Sequence, residues 1–313
     1  MRRDNLSRIS TNICFILIKR KTLLQTGCVK LREILQKYLK EKYGEFTPTR
    51  LVGGYTNDTY LINATCPQLV AKVGRLSNSD LKNEVNSLEI TKEISVVPKI
   101  YDYIKKDGVQ IIVMEYCEGI NGQSILDHND LETTKILYRV LGKTLSNSVH
   151  SLKFKPNLKP LNQCNIKEIN LDLDFVPEIL IQRTQKILNN VDDKENDWVL
   201  THGDYGIHNV LFTKENSITV LDWEWAEWAN PLIDVGWVCW FTKLHYPHHS
   251  DILNSIFINE YKIHSSVELS SDKLKAYCLY KVWKVLNKVT QAPEDVRQEW
   301  VRRLRWTLDT DLI

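Results

Sequence analysis

The stretch that decides the fold is Thr201-His202-Gly203-Asp204-Tyr205-Gly206-Ile207-His208-Asn209, followed shortly by Ile218-Thr219-Val220-Leu221-Asp222-Trp223-Glu224. Asn209 stands five residues after Asp204, and Asp222 stands thirteen after Asn209, at the end of the apolar run 218–221. A short apolar run bounded by polar turns reads as a strand, so a loop carries Asp204 and Asn209 while an adjacent strand end carries Asp222. Singly, each of these is an ordinary turn or capping residue. In this order and spacing they meet the needs of phosphoryl transfer. There, one aspartate orients the attacking hydroxyl, and an asparagine and a second aspartate hold magnesium on the phosphates.

Working toward the N-terminus, Leu69-Val70-Ala71-Lys72-Val73 places a lysine inside an apolar strand. An ammonium there is costly to bury without a partner. Nucleotide phosphates and a helix glutamate would supply one. Glu84 follows twelve residues later, in a helix expected to begin near Asp80 with the apolar face Leu81, Val85 and Leu88. Glu89 is the competitor for that role, on a less buried face. Before Lys72, the loop Gly53-Gly54-Tyr55-Thr56-Asn57-Asp58 joins two strands, at 50–52 and 59–62. Its glycines allow close backbone approach to phosphates. It is neither a G-x-x-x-x-G-K-[ST] loop nor a G-x-G-x-x-G loop, which excludes a P-loop NTPase.

Strand patterns dominate as far as about 116, with a hairpin at 99–104 and 109–115 turning at Lys106-Asp107-Gly108. Beyond 120 helical periodicity takes over, near 130–150, 167–190, 231–244, 251–262, 272–288 and 293–306. A strand-rich front and a helix-rich back define an α+β chain. The expected division is an N-terminal lobe over 28–116 and a helical C-terminal lobe over 117–313. Residues 1–27 read as a poorly ordered extension. Their apolar run, 13–18, is too short for a secretory core or a membrane span.

Composition narrows the function classes. Of 313 residues, 43% are hydrophobic and 26% charged, which is ordinary globular usage. Lys and Arg number 41 against 39 Asp and Glu, a net charge of +2 that gives no support to a nucleic-acid or membrane-surface binder. Seven cysteines without a C-x-x-C pair argue against a disulfide or zinc scaffold and for a reducing, cytoplasmic setting. His245, His248 and His249 around Pro247 lack the companions of a metal site and read as a solvated loop. Ser148-Val149-His150 has no nucleophile-elbow context. Arg297, Arg302, Arg303 and Arg305 read as a solvated helix face anchored by Trp300 and Trp306.

His202-Gly203-Asp204-x4-Asn209 and Leu221-Asp222-Trp223-Glu224 resemble the catalytic and metal loops of the aminoglycoside phosphotransferase and choline kinase families. Those families are small-molecule relatives of the protein kinases, and Gly203 replaces the arginine of a protein kinase. The resemblance runs from about 46 to 240. It implies a bilobal, protein-kinase-like fold with a small β-rich N-lobe and a larger helical C-lobe. It also implies transfer of the γ-phosphate of ATP or GTP, with Mg²⁺, to a hydroxyl of a small molecule. In that template Asp204 is catalytic, and Asn209 and Asp222 hold the metal. Gly53, Gly54, Thr56, Asn57, Lys72, Glu84 and the hinge residues Glu115 and Cys117 serve the nucleotide. Asp234, in Asn230-Pro231-Leu232-Ile233-Asp234, matches a position that would fix the catalytic loop, through His202. A helix-N-terminal acid is the equal alternative there.

The acceptor is the least determined part. Glu224, Trp225, Glu227 and Trp228 follow the metal aspartate, and aromatic faces with carboxylates suit a cationic acceptor. A hydroxyl- and amine-bearing compound, aminoglycoside-like, is therefore expected. A choline- or ethanolamine-type kinase, or a catalytically silent binding protein of the same fold, are the alternatives. No protein partner is implied.

Overall fold

The run at 69–73 shows no polar alternation because it becomes a strand buried on both faces. The computed structural model describes residues 24–51, 57–63, 67–156 and 160–313, with the backbone alone for 24–32. The chain divides into two compact units, 1–92 with 98–117, and 93–97 with 118–313. Gly53, Gly54 and Thr56, and residues 1–23 of the expected extension, lie outside the described residues.

The first unit contains α1 (Leu24–Tyr43), β1 (Pro48–Arg50), β2 (Asp58–Ile62), β3 (Leu69–Arg75), α2 (Ser79–Ile90), β4 (Ile100–Lys106) and β5 (Val109–Glu115). Its sheet has the order β1-β2-β3-β5-β4, antiparallel throughout. β3 is central, and Lys72 pairs in register with Thr59 on one side and Ile112 on the other. Leu35 and Leu39 of α1 join Tyr60, Ile62, Leu69, Ala71, Val73, Ile111 and Val113 in one core cluster. Helical spacing in α1 thus meets the two-residue period of three strands. Asn78 caps α2, its Oδ1 accepting the Asp80 N–H at 3.0 Å. Leu81, Glu84, Val85 and Leu88 fall on one buried face, so the period that buries the leucines also turns Glu84 inward.

The second unit contains β6 (Ile120–Asn121), α3 (Gly122–Asp127), α4 (Leu131–Thr144), β7 (Asn162–Gln163), α5 (Glu178–Asn189), β8 (Val199–Thr201), β9 (Val210–Phe212), β10 (Ile218–Val220), β11 (Glu227–Ala229), α6 (Leu232–His245), α7 (Ser250–His264), α8 (Ser271–Lys288) and α9 (Glu294–Asp309). Two small sheets, β10-β9-β6 and β7-β11-β8, frame the loop at 202–209. α6 is buried from Leu232 through Thr242 and packs on α7 and α8. Gly236 permits the α6–α8 approach: a Cβ there would lie 2.9 Å from Cys278 Sγ and 3.2 Å from the Leu274 carbonyl oxygen.

The mixed α+β architecture agrees with the sequence, with differences of detail. The helix expected over 167–190 is shortened to α5, because Pro177 caps it and holds the preceding residue out of the helical region. Strands β7, β8 and β11 are too short to leave a pattern. The arginines near the C-terminus are not all solvated: Arg303 is buried and, with Arg302, holds Glu299. His245 ends α6 rather than lying in a loop. No helix among the described residues is long and apolar enough to cross a membrane.

Candidate active site

In the first unit, Lys72 Nζ and Glu84 Oε2 form a buried ion pair at 2.7 Å. Strand register fixes one partner and helix period the other. The pair identified from the sequence is therefore the pair that meets, and Glu89 is only half-buried. Asn57 is buried and its Oδ1 accepts from Asn78 Nδ2 at 2.9 Å, tying the end of the glycine loop to the cap of α2. Glu115 Oε2 accepts the Lys99 N–H at 3.3 Å. Cys117 is half-buried at the end of this unit.

In the second unit, the loop at 202–209 and helix α6 meet at Asp204. Its Oδ1 accepts the Trp237 indole N–H at 2.7 Å, and Asn209 Nδ2 donates to its Oδ2 at 3.0 Å and to its backbone oxygen at 2.9 Å. His208 Nε2 stands 3.4 Å from Oδ1, its ring stacked on Phe241. Burial pushes the Asp204 carboxyl up. The neighbouring His208 and the Lys281 ammonium outweigh that and hold it well below the usual carboxylate range.

His202 joins this loop to the strand end that carries Asp222. Its Nε2 donates to the Leu221 carbonyl at 2.8 Å and its Nδ1 accepts the Asp204 N–H at 3.2 Å. That network assigns the neutral Nε2–H tautomer, and burial holds the imidazole pKa low. Leu221 N in turn donates to the Asn209 carbonyl at 2.8 Å. Asp222 itself adopts a left-handed conformation, φ 66° and ψ 61°, which sets its carboxylate apart from the β10 register.

Asp234 fixes the same loop from below. Its Oδ2 accepts the His202 N–H at 2.7 Å and its Oδ1 accepts the Gly203 N–H at 2.8 Å. The sequence suggested a link through His202; the link runs through the backbone amides, not the imidazole. His150 Nε2 also donates to Asp234 Oδ2, at 3.2 Å, and His150 Nδ1 accepts from the Tyr261 hydroxyl at 2.9 Å. A buried carboxylate thus receives three donors. Gly203, φ +77°, is the one residue type suited here, because a Cβ would run into the Trp225 carbonyl oxygen.

Of the residues proposed for the acceptor, Trp228 is 1% exposed in β11 and packs on Phe154, which makes it core. Glu227 is buried, its Oε2 ion-paired with Lys284 Nζ at 2.7 Å, while no hydrogen bond reaches its Oε1 among the described residues. Glu224 is buried. Trp225 is half-buried, and its ring centre lies 3.5 Å from Lys281 Nζ and 3.7 Å from Lys288 Nζ. The sequence reading discounted His150 and gave no site role to His208, Trp237 or Lys281. His208 could have been found beside Asn209 in the quoted loop. Trp237 and His150 look like core residues, and Lys281 has no local signal.

The oxygen set fits a hard cation. Both hydrogens of the Asn209 amide are directed at Asp204, leaving Oδ1 without a donor among the described residues. With the Asp222 carboxylate, it offers the oxygen ligands that Mg²⁺ prefers.

A fold with a five-stranded antiparallel unit, a helical unit and this loop defines a kinase-like phosphotransferase. The chain belongs to the phosphotransferase enzyme family, whose model matches residues 47–249. Among curated proteins no sequence matches it. Among solved structures, it is similar to the choline kinase LicA of Streptococcus pneumoniae, at 16% identity over 90% of this chain and 99% of that one, TM-score 0.67. It is also similar to an aminoglycoside phosphotransferase, APH(4)-Ia, in complex with ADP and hygromycin B, at 17% identity over 88% of this chain and 98% of that one, TM-score 0.65. A third is a spectinomycin phosphotransferase, APH(9)-Ia, bound to ADP and spectinomycin, at 16% identity over 90% and 96%, TM-score 0.60.

Proposed function

We propose that the protein transfers the γ-phosphoryl group of ATP or GTP to a hydroxyl of a small molecule, with Mg²⁺. The observation that carries this reading is the Asp204–Asn209 pair, held by Trp237 and His202 within a loop stapled to the Asp222 strand. Asn209 Oδ1 and the Asp222 carboxylate would hold the metal, which draws charge from the phosphates. Lys72, kept in place by Glu84, would bind the nucleotide phosphates, with Gly53, Gly54, Thr56, Asn57, Glu115 and Cys117 around the nucleotide. Asp204, charged at neutral pH, would accept the hydrogen bond of the acceptor hydroxyl and orient it. A carboxylate of such low basicity takes the proton late, as the bond to phosphorus forms, which suits a loose transition state. Catalysis then rests on positioning and charge neutralisation. Among the described residues, the free thiols of Cys164, Cys239 and Cys278 support a cytoplasmic setting.

The amine-bearing acceptor expected from the sequence rested on Trp225 and Trp228 with the carboxylates beside them, and on the family resemblance. Trp228 is core, and two ammonium groups of the chain itself already lie against Trp225. The part of that expectation that rested on the two rings therefore loses its support.

Thermal denaturation with ATP and with GTP tests the reading. The midpoint should rise with nucleotide only when Mg²⁺ is present. Asp204→Asn should retain the rise and lose transfer. No rise with either nucleotide at millimolar concentration would identify a silent binding protein, and normal turnover by Asp204→Asn would remove that residue's role.

A further inference from the structure

Lys281 is 2% exposed, and no hydrogen bond reaches its Nζ among the described residues. A buried ammonium with three unused N–H donors is costly and calls for an acceptor. None of the acids around it is hydrogen-bonded to this ammonium among the described residues. Asp204 is held by Trp237 and Asn209, and Glu227 Oε2 by Lys284. The ammonium lies 3.5 Å from the centre of Trp225 and 5.4 Å from that of Trp237, whose indole N–H is bonded to Asp204. One ring therefore separates Lys281 from the carboxylate assigned to the acceptor hydroxyl. Lys284 and Lys288 also approach Trp225, at 5.6 and 3.7 Å. A cationic acceptor would add a like charge to this cluster, and an anionic one would complete it.

We propose that Lys281 is the charge-recognition point of the acceptor site, and that the hydroxyl compound phosphorylated there carries a carboxylate or phosphate of its own. The inference rests on the proposed phosphotransferase reading and names its substrate class. Glu227 Oε1, buried and without a hydrogen-bond partner among the described residues, supplies an acceptor for a further hydroxyl of such a compound. Burial, helped by the charges of Lys284 and Lys288, holds the Lys281 pKa down to about 7. A bound anion would bring it back up and keep the ammonium charged.

The test uses matched acceptors with MgATP: glycerol against glycerate and glycerol 3-phosphate, glucose against gluconate and glucose 6-phosphate, and choline and kanamycin as cations. Turnover should be confined to the acidic members, and carboxylate against phosphate separates the two anion sources. Lys281→Met should raise the KM of an acidic acceptor about 10- to 100-fold, the loss of one charged hydrogen bond. Lys281→Arg should recover part of it. A purely structural lysine, for example one joined to Glu227 through a buried water, would instead lower kcat without regard to acceptor charge. The melting temperature of each variant and its MgATP-induced rise show that the fold and the nucleotide site persist. Turnover of neutral or cationic members, or MgATP stabilisation without turnover of any acidic member, would overturn the proposal. Absence of MgATP stabilisation in the wild type would instead overturn the phosphotransferase reading beneath it.

Discussion

The indole N–H of Trp237 donates to Asp204 Oδ1 at 2.7 Å, so a residue of the most buried helix holds the carboxylate of the proposed active site. α6 and the loop at 202–209 are fastened twice, since Asp234, one turn earlier on the same helix, receives the backbone amides of His202 and Gly203.

Trp237→Phe keeps the ring and deletes that donor. The expected outcome is a fall in kcat of about tenfold, the worth of one hydrogen bond to a charged group. The MgATP-induced rise in melting temperature should be unchanged. Steady-state kinetics beside thermal denaturation check this. An unaltered kcat would mean that the bond serves packing alone.

Gly203→Ala places a Cβ against the Trp225 carbonyl oxygen at φ +77°. Left-handed strain and the close contact together should cost on the order of 1–3 kcal/mol. Urea denaturation would register this as a lower midpoint at constant slope. Activity should fall with it, because the displaced loop carries Asp204. A midpoint equal to that of the wild type would show that the loop relaxes freely.

Lys281 gives a pH signature. Its pKa is lowered by burial from 10.5 to about 7, against the opposing pull of Asp204 and Glu227 and with the help of Lys284 and Lys288. Between those two values the unfolded chain holds more protons than the folded one, so this residue makes stability rise with pH across that window. Its penalty is present in full below about pH 7. Lys281→Met lacks the penalty. Its melting temperature should exceed that of the wild type most at about pH 6, and the gap should close toward about pH 10. Parallel curves across that range would contradict the burial of an ammonium at this position.

The loop 201–209 and the end of β10 were legible because their spacing is local, and a short segment has few ways to present three oxygen-bearing side chains. Lys72 and Glu84 were legible for a different reason. Two- and 3.6-residue periods point one side chain out of a strand and another onto a helix face. Trp237 was not, since its apolar neighbours on α6 describe a core helix equally well and the indole N–H has no period. Trp228 misled for the converse reason: three residues of β11 leave no alternation to show that it faces inward. Lys281 lies on a helix whose relation to Asp204 exists only after α6 and α8 pack, at Gly236. Periodicity at 167–177 suggested helix, and Pro177 ended it at the backbone.

Residues 93–97 fold with the second unit although they lie within the sequence of the first. The Val96 carbonyl accepts the Val220 N–H at 2.8 Å, two residues before Asp222. Neither unit is therefore an uninterrupted stretch of gene. A fragment beginning at Glu118 would leave that amide without its acceptor beside the strand end that carries Asp222. Split-protein pairs and chimaeras between relatives need crossover points that keep 93–97 and everything after Cys117 from one parent.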